Sequence, residues 1–344
     1  MTAFSVTGFV NPATGLMQGG YFSTDPGAAN YIADYPFFFS AQYSQIKNGF
    51  SWSGSKTIGT PESETEKGGL FTFNGNPDPR AQPTAEQRYS FNQMPEFWLK
   101  KRFYVPTNYY HRRCTVFTVT GDMTGWQRGD NLLANNGVET GKVEYISGST
   151  LLVLFPTNPF NSQWNGNITN VTRSQTYPCT RVENWPDNNK FHALWCDGYS
   201  QAGQSPTIVF ELHATGDGGS YIYYHFGADG QVVGTLPNST SPDAIFIRAI
   251  DFGKWFDWIV HVKMATSETA EDGIIEHWVK REGESAYTKI RTQTNCKIGP
   301  RAAASNAQFR NGYCHGYQNT GPYSTFSLCD SHFILSSATI DGVV

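Results

Sequence analysis

The sequence predicts an all-β protein rich in turns, and three observations lead there. Aromatic residues make up 15% of the chain and charged residues only 16%. Glycine occurs 34 times and proline 18 times, a supply of turn residues that suits many short strands. Several runs alternate apolar and polar residues at period two, while helical periodicity is almost absent. At 344 residues the chain is long enough for a sizeable core and a second structural unit.

Residues 1–90 are rich in Gly, Pro, Ser, Asn and Tyr, and read as an extended N-terminal arm with the first strands. Their strongest apolar patch is Tyr35–Tyr43, suited either to docking on a neighbouring subunit or to the core. Glu96–Val105 reads as a strand, with Phe97, Leu99, Phe103 and Val105 on one side and Trp98, Lys100, Arg102 and Tyr104 on the other. Lys101 interrupts the apolar side. Residues 116–178 form a small β-barrel-like insertion, with a hairpin from Lys142 to Ser147, a Gly148-Ser149 turn, and Thr150 to Phe155. Further strands follow at Lys190–Cys196, Thr207–His213 and Tyr221–Phe226. Phe252–Lys263 and Asp272–Lys280 form a long hairpin. Phe256, Trp258, Val260, Val262 and Met264 form its apolar face, and Trp255, Asp257, His261 and Lys263 share the opposite one with Ile259. Gly312–Gly321 and Tyr323–Leu335 close the chain. The main sheet system is expected over 91–115 and 179–344.

Several function classes are disfavoured. A net charge of -4 and scattered Lys and Arg argue against a nucleic-acid partner. No apolar run approaches membrane-spanning length, and the first residues show no secretory signal, so membrane insertion and export are not expected. The six cysteines have no C-x-x-C spacing and are expected as buried, reduced thiols. No phosphate loop, H-E-x-x-H or G-x-S-x-G motif occurs. Asp122, Asp130, Glu139 and Asp272 lie in or near turns without calcium-loop spacing, so neither a metal nor another cofactor is expected.

The strand series carries a family resemblance. Phe97–Val105, Lys190–Asp197, Gly253–Lys263, Asp272–Val279 and Asn311–Asn319 together resemble the concanavalin A-like lectin and glucanase sandwich, in the form seen in polysaccharide lyases of the alginate and glucuronan type. The resemblance covers residues 93–105 and 180–340, about half the chain, and rests on the series because each motif is loose. It implies a jelly-roll β-sandwich whose curved sheet grips a glycan. Gly125–Leu132 and Gly141–Leu151 resemble small β-modules of bacteriophage virion proteins, with Trp126 one residue earlier than in that pattern.

These resemblances imply a virion structural protein, as tail or fibre appendage or as capsid decoration, located in a virion assembled in the host cytoplasm. Its expected partners are other virion proteins, further copies of itself as a homo-oligomer, and host surface polysaccharide. The alternative is a depolymerase, a polysaccharide lyase or glycoside hydrolase acting on acidic glycans. If the strands share one sheet, the glycan-binding face comprises Trp98, Lys100, Arg102, Tyr104, Glu211, His213, Tyr221, Tyr223, His225, Trp255, Asp257, His261 and Lys263. Arg102, His213, Tyr223 and Lys263 are the catalytic candidates, by residue type, for neutralising a uronate and moving protons. The same alternation also arises on any half-solvated strand, and His111, His192 and His315 suit local hydrogen bonding better than chemistry.

Overall fold

The computed structural model describes residues 19–23, 50–53, 68–157, 164–196, 207–228, 231–235, 245–267, 269–299 and 308–336. The first strands are β1 (Gly19–Ser23), β2 (Phe50–Ser53), β3 (Gly68–Phe73), β4 (Thr84–Met94) and β5 (Glu96–Val105). Next come β6 (Cys114–Val119), β7 (Asn131–Ala134), β8 (Thr140–Ser147), β9 (Thr150–Leu154), β10 (Gly166–Asn170) and β11 (Gln175–Asn184). The remaining strands begin with β12 (Asn189–Trp195), β13 (Thr207–Ala214), β14 (Ser220–Ala228), β15 (Gln231–Thr235) and β16 (Ile245–Ile247). They end with β17 (Lys254–Lys263), β18 (Gly273–Arg281), β19 (Thr288–Cys296), β20 (Phe309–Tyr317) and β21 (Phe326–Ser336). Among the described residues there is no α-helix.

The fold is an all-β jelly-roll sandwich with an inserted small β-domain. One sheet runs β19-β18-β17-β5-β21-β3-β2, with β1 beside β21. The second runs β15-β14-β13-β12-β20-β4, with β16 beside β14. Strands adjacent in sequence often lie in different sheets: β4 and β5 are separated by one residue yet belong to opposite layers. Of residues 1–90, the described portions contribute β1 to β4 to the two sheets. The Tyr35–Tyr43 patch and most of the expected arm lie outside the described residues.

The core sits between the sheets because the alternation of each strand places its apolar set inward. Phe97, Leu99, Phe103 and Val105 of β5 and Phe256, Trp258, Val260 and Val262 of β17 face Ile208, Phe210 and Leu212 of β13. Trp258 is at the centre, its ring among Phe191, Phe210 and Phe246, and its indole N–H donates to His277 Nδ1 at 3.0 Å. Phe191 and Leu194 both point inward although three positions apart, and a register shift between Lys190 and His192 makes this possible.

Lys101, which interrupts the apolar face in sequence, does point inward and is fully buried. Its ammonium pairs with Asp330 of β21 at 3.0 Å and lies 2.8 Å from His315 Nε2 of β20. It also sits 4.2 Å from the centre of the Phe191 ring. Burial holds the His315 imidazole down to about 4, so it is neutral and contributes as a hydrogen-bonding group. The Cys114, Cys179, Cys196, Cys296 and Cys314 thiols are free and buried.

The insertion closes into a barrel of order β10-β11-β6-β9-β8-β7 with its own core of Phe117, Val143, Leu151, Val153, Trp164 and Ile168. The β8–β9 turn needs Gly148, whose φ of 56° a side chain would resist. The barrel is fastened to the sandwich by Arg112, which has no exposed surface. Its guanidinium donates to the carbonyls of Gly321, Pro77 (3.1 Å) and Asn76 (3.0 Å), and to Glu144 Oε1 of β8 at 2.7 Å.

Removing one partner of a buried ion pair leaves an uncompensated charge. Lys101→Ala is therefore expected to lower unfolding free energy by about 3–5 kcal/mol in urea titrations. The double substitution K101M/D330N should cost less than the sum of its two single changes. Additive costs would show that the pair is not coupled.

Candidate functional site

The sequence-predicted site residues divide between two faces that point in opposite directions. Trp98, Lys100, Arg102 and Tyr104 on β5, and Trp255, Asp257, His261 and Lys263 on β17, lie on the outer face of the first sheet. Glu211 and His213 on β13, and Tyr221, Tyr223 and His225 on β14, lie on the outer face of the second. The expectation of a single shared face is thus corrected: β5 and β17 are not in the sheet of β13 and β14. Arg102 and Lys263 cannot converge with His213 and Tyr223, because the core lies between them.

On the first sheet the polar groups are paired with one another. Asp257 accepts from Arg102 Nη1 at 3.0 Å and from the Tyr287 hydroxyl at 2.7 Å, with Lys100 Nζ 3.2 Å away. Burial opposes ionisation of Asp257, but the charges of Lys100 and Arg102 hold its carboxyl below the usual range. Burial pushes Lys100 down to about 8 despite Asp257. His261 lies between Glu96 (2.7 Å) and Glu276 (3.0 Å) and stacks on Trp98 at 4.1 Å. Trp98 in turn packs on Trp278, with centroids 5.4 Å apart, and Tyr104 packs on Trp255 at 5.5 Å. Trp98, Trp255, Asp257 and His261 are all buried, so this face is largely occupied by its own contacts. Lys263, at the strand end, is exposed.

The second sheet presents a different arrangement, centred on Glu211. Strand register places Lys190 of β12 and Tyr223 of β14 directly across from it on either side. The buried Glu211 carboxylate pairs with Lys190 Nζ and accepts from Asn188 Nδ2 at 3.2 Å. His225 Nε2 lies 3.3 Å and His213 Nε2 3.7 Å from its oxygens. Burial by itself would raise the Glu211 pKa. The nearby His213 and His225 imidazoles and the Lys190 charge reverse that, and the carboxyl is held far below its ordinary range.

His213 has a second carboxylate partner on its other nitrogen. Asp187 Oδ1, in the loop between β11 and β12, is 3.1 Å from His213 Nδ1, and Asp187 Oδ2 accepts from the Ala214 amide at 2.9 Å. Burial would favour neutral imidazole, yet Asp187 and Glu211 outweigh it and raise His213 to about 9. The His213 and Tyr223 rings meet edge to face at 4.9 Å. His213, Tyr221, Tyr223 and His225 keep part of their surface open, and Lys190 Nζ lies 5.5 Å from the Tyr317 ring. Gly316 allows this approach: a Cβ there would come within 2.8 Å of Lys190 Cβ.

Lys190, Asp187 and Asn188 were not among the residues singled out by sequence. The Lys190 signal was present, because strand alternation places it opposite the apolar Phe191. Asp187 and Asn188 sit in a Trp-Pro-Asp-Asn-Asn stretch that reads only as a loop. His111 and His315 are satisfied core histidines, as expected. Among the described residues no group of three or more His, Cys, Asp or Glu is placed to hold a metal ion. A cavity of about 510 Å³ lies elsewhere, between the barrel and the β13–β14 turn, lined by Tyr110, Leu133, Thr140, Lys142, Phe155 and Gly216 among others.

The arrangement is chemically suited to hold a polar, ring-shaped ligand. Tyr223, Tyr221 and Tyr317 offer faces for sugar C–H groups, and cationic and carboxylate groups beside them offer hydrogen bonds to hydroxyls. Comparison with solved structures gives loose superpositions on other β-sandwich proteins. An alginate lyase, vAL-1, from Chlorella virus superposes with a TM-score of 0.32 and 9% identity, over 84% of this chain and 93% of that one. The exoplasmic/lumenal domain of VIP36 gives 0.31 and 10%, over 86% and 92%. Winged bean acidic lectin gives 0.30 and 7%, over 86% and 96%. The fold assignment rests on the sheet order itself, not on these values. No protein-family model and no curated protein sequence matches the chain.

The raised pKa of His213 has a defined consequence for stability. Its contribution is fully present below the unfolded value of 6.5 and is lost as pH rises through about 9. The contributions of Glu211 and Asp187 have the opposite sign, present above their ordinary values and lost on acidification. The stability difference between wild type and His213→Gln should therefore be largest near pH 6 and shrink toward pH 10. Denaturation midpoints across that range check this, and a constant difference would contradict it.

Proposed function

We propose that this protein binds glycans on the outer face of its second sheet and does so as a repeated surface component of a bacteriophage virion, a tail or fibre appendage or a capsid decoration that attaches to host polysaccharide. The observation that carries the glycan reading is the cross-strand row Lys190–Glu211–Tyr223 with His213 and His225 beside it. It combines partly open aromatic rings with fixed charges on a rigid sheet, which orients a sugar with little ordering cost. What supports the virion setting is the likeness of the Gly125–Leu151 region to phage virion modules. A single shallow saccharide site binds weakly, so the role calls for several copies acting together.

One feature favours a second reading, a lyase acting on acidic glycans. His213 with Asp187 behind it is cationic and suits neutralisation of a uronate carboxylate, with Tyr223 in edge contact to move the proton. In such a step the proton α to the carboxylate leaves, the β C–O bond breaks, the departing oxygen gains a proton and a C=C bond forms.

Affinity electrophoresis in a panel of neutral and acidic polysaccharides, run alongside assay of unsaturated-product absorbance, tests both. Retardation by at least one polymer is expected, reduced about tenfold or more in Y223A and E211Q and unchanged in K263A. Binding without absorbance change supports the attachment role, and absorbance that disappears in H213Q and Y223F supports the lyase. No retardation and no turnover with any polymer would overturn the glycan reading. Light scattering on the purified protein is expected to give a multiple of 38.3 kDa. A monomer at micromolar concentration would count against the assembled role.

A further inference from the structure

We propose that Asp187 is a positioning residue that locks the ring and the proton of His213 for ligand binding; this rests on the glycan reading of the second sheet. Asp187 lies in the loop between β11 and β12. Nearly every residue from 185 to 189 is tied to a fixed part of the sandwich. Trp185 Nε1 donates to the Asn319 carbonyl at 2.8 Å, and the Pro186 carbonyl accepts from the Thr320 hydroxyl at 2.7 Å. Asn188 Oδ1 accepts from Asn319 Nδ2 at 2.6 Å, and Asn189 Oδ1 accepts from the Thr320 amide at 3.2 Å.

Asp187 itself is held from behind by His111. The Asp187 backbone carbonyl can only accept, so His111 Nε2, 2.9 Å away, carries the hydrogen. His111 Nδ1 is then the acceptor for the Ser220 hydroxyl at 2.8 Å, and Ser220 Oγ lies 2.6 Å from the Tyr109 hydroxyl. Burial keeps His111 down at about 4, consistent with this neutral tautomer. The loop therefore has no soft position, and the Asp187 carboxylate is delivered to His213 Nδ1 and the Ala214 amide together.

The groups around His213 show what Asp187 supplies. Glu211 faces its other nitrogen from the same strand, but that carboxylate is shared with Lys190 of β12 and His225 of β14. Tyr223 of β14 abuts the ring, Tyr221 lies across the strand pair, and His111 adds an unfavourable charge if protonated. Asp187 is the carboxylate dedicated to this ring. With it, the imidazole is orientated and cationic through neutral pH, with Nε2 turned toward Glu211 and the ring edge beside Tyr223. Without it, the half-buried ring would lose a carboxylate that favours its charged form and could rotate.

Selective ¹³C labelling of histidine with NMR titration tests this on the full chain without any ligand. In wild type the His213 resonance should titrate well above 6.5, and in D187N its midpoint should fall by about two units. D187E, which retains the charge, should keep a raised midpoint. A wild-type midpoint at the ordinary histidine value, or an unshifted midpoint in D187N, would overturn the proposal, and the wild-type measurement decides even if D187N fails to fold. Binding of an alginate oligosaccharide supplies a second readout. Wild-type affinity should be level between pH 6 and 8, while D187N should lose about tenfold over that interval, following its lowered titration. If alginate and the wider polymer panel leave every variant unbound, the glycan reading fails, while the titration still judges Asp187.

Discussion

The hydrogen-bonded seam where the inserted barrel joins the sandwich is the constraint on which the site depends. The chain enters the barrel through His111 and Arg112 and leaves it through Trp185 to Asn189. Both connections are fixed to the 319–321 loop: Arg112 on the Gly321 carbonyl, Trp185 on Asn319, and Asn189 on Thr320. Because β12 begins where the second connection ends, fixing the seam also fixes where Lys190 meets Glu211. The insertion thus gives the second sheet a rigid border from which Asp187 and Asn188 reach Glu211 and His213. These polar contacts satisfy backbone groups that a buried loop would otherwise leave unpaired.

Buried charge recurs through the described residues, and three compensated clusters bear on the sheets. Lys101 meets Asp330 between the sheets, Asp257 meets Lys100 and Arg102 on the first outer face, and Glu211 meets Lys190 on the second. Such groups add little net stability over apolar replacements, and each is costly to leave half-paired. The Lys101–Asp330 pair joins β5 to β21, so a shift of either strand by one residue would bury a lone charge. The Glu211 cluster differs from the other two in leaving its flanking rings and both histidines partly open, which is why it reads as a place for a ligand rather than a lock within the fold.

Much of the fold was legible in the sequence. The hairpin at 252–280, the strand at 96–105 and the turn at Gly148 were fixed by alternation, aromatic content and turn chemistry, and the structure places them as expected. The outward phases of Glu211, His213, Tyr223 and His225 were also correct. Hidden from the sequence was the layer to which each strand belongs. An outward-facing Arg102 and an outward-facing His213 show the same alternation, and only long-range pairing shows that they face opposite solvents. Lys101 illustrates the converse: it looked like a lapse in the apolar pattern, and its partners Asp330 and His315 lie more than two hundred residues along the chain. Asp187 was illegible because its importance arises from a loop's hydrogen bonds rather than from any periodic pattern.

The central claim is that ligand engages the second sheet and not the first. Hydrogen–deuterium exchange in the presence and absence of a bound polysaccharide addresses it directly, because amide protection reports where contact and rigidification occur. Added protection is expected to be confined to the 185–190 loop and strands β13 and β14. Protection concentrated in β5 and β17, around Trp98, Asp257 and His261, would contradict it.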